Sequence, residues 1–121
     1  MTAMQRAISV LACLMGALGV AAAAASAHGG GERLAPAAQL LLVHAAASLA
    51  LQRMTSWTMV GLYGAVAGME LGSLLFSADM AMRTFQDRPL FPMAAPTGGT
   101  IVILSWLVAA IAVAGGGRER A

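Results

Sequence analysis

Residues 7–27 form an apolar run that contains no charged side chain and is bounded by Arg6 on one side and by polar residues on the other. A helix that crosses the hydrocarbon core of a bilayer needs about 20 apolar residues. The chain has only 121 residues, and a small soluble domain has too little interior to bury a helix of this kind. The run therefore predicts a membrane-spanning helix.

The composition extends this prediction to the rest of the chain. Hydrophobic residues make up 60% of the sequence and charged residues only 10%, whereas soluble domains carry about 25% charged residues. Apolar runs recur three more times, so that the predicted spans lie near residues 7–27, 35–52, 58–82 and 99–115. We expect an all-α fold, a single transmembrane domain over residues 1–121 that forms a bundle of four transmembrane helices with short loops.

The basic residues are all arginines, and they are scattered along the chain. A nucleic-acid-binding protein would cluster them on one face, so the sequence excludes that partner class. Four spans place both termini on one side of the membrane. That side would carry Arg6, Arg53, Arg118 and Arg120, against Arg33, Arg83 and Arg88 on the other. The positive-inside rule then favours cytoplasmic termini in a bacterial inner membrane; a mitochondrial membrane is the alternative.

The first apolar run has a second interpretation, as a signal peptide. Ala25-Ser26-Ala27 fits the small-residue cleavage pattern, and Arg6 supplies the positive start. Cleavage would leave three spans and an N-terminal His28, which can chelate copper. The run is longer than the apolar core of a usual signal peptide, and this length favours a retained first span.

Three glycines in the third run recur every fourth residue, at Gly64, Gly68 and Gly72. Overlapping GxxxG units form a flat strip on which another helix backbone can pack closely. The spacing therefore predicts a helix-packing face. It does not say whether the partner helix belongs to this chain or to another.

The same run contains Glu70, an ionisable residue inside a predicted span. Such residues are costly in a bilayer and by default indicate a functional site. Two residues correspond to about 200° of helical rotation, so Glu70 faces away from the glycine strip. We expect His44 to be the partner of Glu70, so that Glu70 and Ser73 face His44 and Ser48 across an antiparallel helix pair. A third span shifted toward its N-terminus would make His28 and Arg33 the partners instead.

This polar group has two interpretations: it fixes the register of the helices, or it binds a ligand or carries a proton. His28, Asp79 and Arg83 are expected at the membrane interface, the last two as a helical ion pair at spacing i, i+4. The depths of His28 and His44 differ by about half a bilayer, which disfavours a shared haem or metal. No cofactor, no metal site and no catalytic motif is predicted, and hence no enzyme activity.

Several short motifs together resemble a known family. In chain order they are Ala27-His28-Gly29, Val43-His44-Ala45 within the second span, Gly72-Ser73-Leu74-Leu75-Phe76-Ser77, Pro96-Thr97-Gly98-Gly99 and Ser105-Trp106. Their order and spacing resemble the YgdD-like small membrane proteins (DUF423), a bacterial inner-membrane family of unknown function with transmembrane protein 256-like relatives in mitochondria. The resemblance implies a four-helix membrane protein with its first span retained.

The chain departs from the family pattern at several places, among them a long loop before Pro96, as a divergent member would. Gly30 follows Ala27-His28-Gly29 where leucine is usual, Asp79 replaces a serine, and Glu70 replaces an apolar residue. Because the family has no assigned activity, we form two hypotheses from the residues. The first is an accessory or assembly subunit that packs against other membrane subunits or itself, and the alternative is a binding or transport module for a hydrophobic ligand, quinone or proton in the His44/Glu70 region.

Overall fold

The structure is a computed structural model that describes residues 1–29, 31–54 and 60–116. These residues form four α-helices: α1 (Ala3–Ala27), α2 (Leu34–Leu51), α3 (Val60–Phe85) and α4 (Ala94–Gly116). All four are long and apolar enough to span a membrane. The predicted all-α transmembrane bundle is thus confirmed.

Two helices begin earlier than the sequence predicts, and local chemistry explains both starts. A capping box starts α1 at Ala3: Thr2 Oγ1 accepts from the Gln5 amide and Gln5 Oε1 accepts from the Thr2 amide. The fourth helix begins at Ala94 rather than near residue 99. Pro96 lies in its first turn, where the missing N–H of proline is not needed.

The helices pack in chain order as an antiparallel bundle. Helix α1 packs on α2 and α4 packs on α3, while α2 and α3 meet at the centre; α1 touches α3 only over a small area. We call the end with the α1–α2 and α3–α4 connections the loop end. At this end Arg33 Nη1 donates to the Arg83 carbonyl over 3.4 Å, which ties the two connections together.

Several polar side chains are fully buried while many large apolar side chains are exposed, unlike in a soluble protein. The buried polar residues include Glu70 (1% exposed), Ser73 and Asp79 (both 0%), whereas Ile111 is 73% exposed and Leu71 is 61% exposed. Exposed apolar surface of this extent is stable when lipid is the solvent, and the polar groups then find partners inside the bundle. The chain is therefore a small integral membrane protein.

Candidate functional site

The contact between α2 and α3 is built on a buried carboxyl group. Ser48 of α2 donates a hydrogen bond from Oγ to Glu70 Oε1 of α3, and both side chains are buried. Closer to the loop end, Ser77 Oγ donates to the Ala37 carbonyl over 3.4 Å. These two bonds set the register between α2 and α3. In this register Glu70 lies opposite Ser48, which is one helical turn along α2 from His44. The expected direct pairing of Glu70 with His44 is not formed.

His44 is held by two other groups. Its Nδ1 lies 2.8 Å from the Leu40 carbonyl, and Nε2 lies 3.0 Å from Trp106 Nε1 of α4. An indole N–H can only donate, so Nε2 must accept and Nδ1 must carry the proton that Leu40 accepts. The two rings meet edge to face, with centroids 5.8 Å apart. Both ring nitrogens are therefore occupied, and the histidine links α2 to α4.

Ser73 lies on the α2-facing side of α3 between Glu70 and Ser77. It is 0% exposed, and within the described part of the chain its Oγ has no hydrogen-bond partner. Other hydroxyl groups on the helices donate a hydrogen bond to the carbonyl four residues earlier, Thr84 to Met80 and Ser105 to Ile101. The interface between α2 and α3 thus contains one buried hydroxyl that is not satisfied locally.

The glycine strip lies against α4 of the same chain. A Cβ added at Gly72 would lie 2.7 Å from the Gly98 carbonyl oxygen, and one added at Gly68 would overlap Ser105 Oγ. Gly64 is exposed, with no atom within 4 Å of the position of such a Cβ. The strip is therefore a contact between α3 and α4, and two of its three glycines are covered by this chain.

The predicted interfacial residues lie at the loop end. Arg83 Nε donates to Asp79 Oδ2 over 2.9 Å, and the Leu90 amide donates to Asp79 Oδ1 over 2.8 Å. Asp79 thus anchors the α3–α4 connection, in which Asp87 and Met93 have positive φ. His28 is the exposed C-terminal cap of α1 and does not approach His44.

An apolar groove lies between α1, α2 and α3 in the half of the bundle nearest the loop end. Its volume is about 440 Å³, within the range typical of ligand pockets. The walls are formed by Leu18, Ala21, Ala22, Ala25, Leu34, Ala37, Leu41, Leu74, Ser77, Ala78, Ala81 and Phe85. Ser77 is the one polar side chain among them. The groove therefore suits an apolar occupant.

A buried cluster of Met15, Leu41 and Ala45, with Leu74 packed against it, closes the inner end of the groove. Along α2 this cluster precedes Ser48, so it separates the groove from the Ser48–Glu70 bond. The apolar groove and the polar contact are consequently neighbours along the interface between α2 and α3.

Sequence reasoning did not identify the groove or the role of Trp106. The groove depends on six alanines from three helices that face a common space, and single-helix patterns do not show this. A signal was present in the alanine run at residues 21–25, which leaves this part of α1 without large side chains on any face. Nothing in the sequence pairs Trp106 with His44, 62 residues apart.

A family model described as a protein of unknown function (DUF423) matches residues 15–99 of the chain. The match runs from the middle of α1 to the first turns of α4 and includes the groove, His44, Glu70 and the two packed glycines. The comparison with curated proteins gave no match, and neither did the comparison with solved structures.

Proposed function

Because the chain belongs to the DUF423 family of proteins of unknown function, we propose its function from its geometry: it is a membrane-embedded binding module that holds one apolar chain of a lipid in the groove. The observation that carries the proposal is the groove itself, about 440 Å³ in volume and walled almost entirely by apolar side chains. This is the binding-module hypothesis, but the binding site is the groove and not the neighbouring His44/Glu70 region.

The groove matches an acyl chain in three respects. Its walls belong to helices that span the membrane, so lipid chains reach it by lateral diffusion. Its alanines leave space between the helices, and an empty space of this size would leave the wall atoms without dispersion contacts. Ser77, the one polar group in the wall, donates to the Ala37 carbonyl, so no unsatisfied donor opposes an apolar occupant.

The His44/Glu70 region fixes the positions of the helices that form the groove. Ser48 bonds to Glu70 and Trp106 bonds to His44, and these bonds fix α2 against α3 and α4. A fixed α2 holds Leu34, Ala37 and Leu41 in the groove wall. The polar residues then act by positioning helices.

Filling the groove tests the proposal. Ala78 is an exposed residue in the groove wall, and Ala78→Trp should fill the groove. We expect this variant to retain no lipid after extraction in mild detergent, as measured by native mass spectrometry. Ala110→Trp is the matched control, since Ala110 is exposed on α4 outside the groove. Equal amounts of retained lipid in both variants and in the unchanged protein would refute lipid binding in the groove.

An accessory-subunit function is the second candidate, and exposed Gly64 favours it. A Cβ added at this glycine would meet no atom of another described element within 4 Å, so this surface is open to a helix of another chain. Tagged protein purified in mild detergent would then co-purify with a membrane protein in stoichiometric amount, and the Gly64→Leu variant would not. Purification of the chain alone would count against this candidate.

A further inference from the structure

A polar pocket of about 380 Å³ lies at the loop end, beside the mouth of the groove. Arg33 and Thr84 line the pocket, while their chain neighbours Leu34 and Phe85 line the groove. A molecule with an apolar chain in the groove can therefore place its polar end in the pocket without leaving the surface of the protein. We call this second space the head pocket.

The head pocket contains charges of both signs. Its ionised side chains are Arg33 and Arg83, Glu32 and Asp87. Arg83 is already paired with Asp79. Within the residues that the structure describes, Arg33, Glu32 and Asp87 form no ion pair. One cation and two carboxylates are thus available to a ligand.

The local backbone holds these groups in place around the pocket. Arg33 Nη1 donates to the Arg83 carbonyl, which leaves the other guanidinium N–H groups for a ligand. Asp87 occupies the left-handed region, with φ of 56°, just beyond the end of α3 at Phe85. Gly31, with φ of 122°, lies so close to α3 that an added Cβ would be 2.9 Å from Thr84 Cγ2.

We propose that the head pocket selects a phospholipid whose head group carries both a phosphate and a primary ammonium, such as phosphatidylethanolamine. Arg33 would bind the phosphate, which guanidinium groups recognise through paired N–H donors. Asp87 and Glu32 would accept from the ammonium, which has three N–H donors. An anionic head would face two carboxylates, and a trimethylated ammonium would offer no N–H donor to them.

This inference rests on the proposed function, because the acyl chain must occupy the groove. The test is native mass spectrometry of delipidated protein titrated with phosphatidylethanolamine, phosphatidylcholine and phosphatidylglycerol that share the same acyl chains. We expect phosphatidylethanolamine to bind roughly fivefold more tightly than either of the others, as one or two partly exposed ion pairs allow.

Two variants assign the preference to residues. The double substitution Glu32→Gln and Asp87→Asn removes both carboxylates and should make phosphatidylethanolamine and phosphatidylcholine bind equally, and Arg33→Gln should weaken binding of both phospholipids. Arg53→Gln is the matched control, since Arg53 is exposed at the opposite end of the bundle. All of these positions are exposed, so the variants are expected to fold, and size-exclusion chromatography checks this.

The outcomes separate the two proposals. Equal binding of the three lipids, or preference for phosphatidylglycerol, overturns the head-group inference and leaves chain binding in the groove intact. Binding of none of the three to the unchanged protein overturns the proposed function and the inference together.

Discussion

His44 shows how a single residue acquires a structural role that its sequence context does not reveal. In the sequence it is a single histidine within a predicted span, and Glu70 is the ionisable residue of the next span that could pair with it. In the structure Trp106 and the Leu40 carbonyl occupy its two nitrogens. Glu70 was expected at His44 but bonds to Ser48, one turn away. The residue types were therefore predictable, whereas their pairing depends on the register between helices.

Removing the donor from Trp106 tests this pairing. Trp106→Phe keeps an aromatic ring but leaves His44 Nε2 without a partner, and we expect it to lower stability by about 1 kcal/mol. Thermal unfolding in detergent measures the effect, with Leu107→Phe at a neighbouring exposed position as the control. In a double variant with His44→Phe the loss should be smaller than the sum of the single losses. Additive losses would show that the two residues do not interact.

The contact of α3 with α4 is an element-scale feature that the sequence predicted in part. The GxxxG spacing indicates a packing face, and Gly68 and Gly72 are indeed close to α4. The identity of the partner helix could not be derived, because an intramolecular and an intermolecular partner need the same flat surface. The start of α4 was also misplaced, because Pro96 and Gly98 have the composition of a loop. In the structure Gly98 belongs to the helix and contacts the Gly72 carbonyl.

Adjacent glycines of α4 provide a matched test of this contact. A Cβ at Gly98 would lie 2.7 Å from the Gly72 carbonyl oxygen and 2.8 Å from the Phe76 amide nitrogen, whereas a Cβ at Gly99 meets nothing within 4 Å. Backbone atoms cannot move aside cheaply, so Gly98→Ala should cost about 1–3 kcal/mol. Gly99→Ala should be neutral or slightly stabilising, since alanine favours helix. Equal thermal unfolding of the two variants would contradict the close approach of α3 and α4.

At the scale of the whole molecule, hydropathy alone predicted four helices able to span a membrane. It could not predict the groove, since its shape depends on how three helices are rotated about their axes and on which alanines face one another. Helix α1 contributes part of the wall and is mostly exposed elsewhere, with Val20 61% and Leu14 56% exposed. The helices pack in chain order, α1 on α2, α2 on α3 and α3 on α4, and the groove is the space left between α1, α2 and α3.

The most direct test of lipid binding in the groove uses a phospholipid with a photoreactive diazirine near the middle of its acyl chain, incorporated into membranes that contain the unchanged protein. After irradiation, mass spectrometry of peptides locates the attached lipid. We predict that attachment concentrates on the groove walls, at residues such as Leu18, Ala22 and Ala78, and persists when the membrane is dissolved in mild detergent before irradiation. Attachment spread equally over the exposed face of α4, at Ile103, Leu107 and Ile111, and lost in detergent would contradict the account.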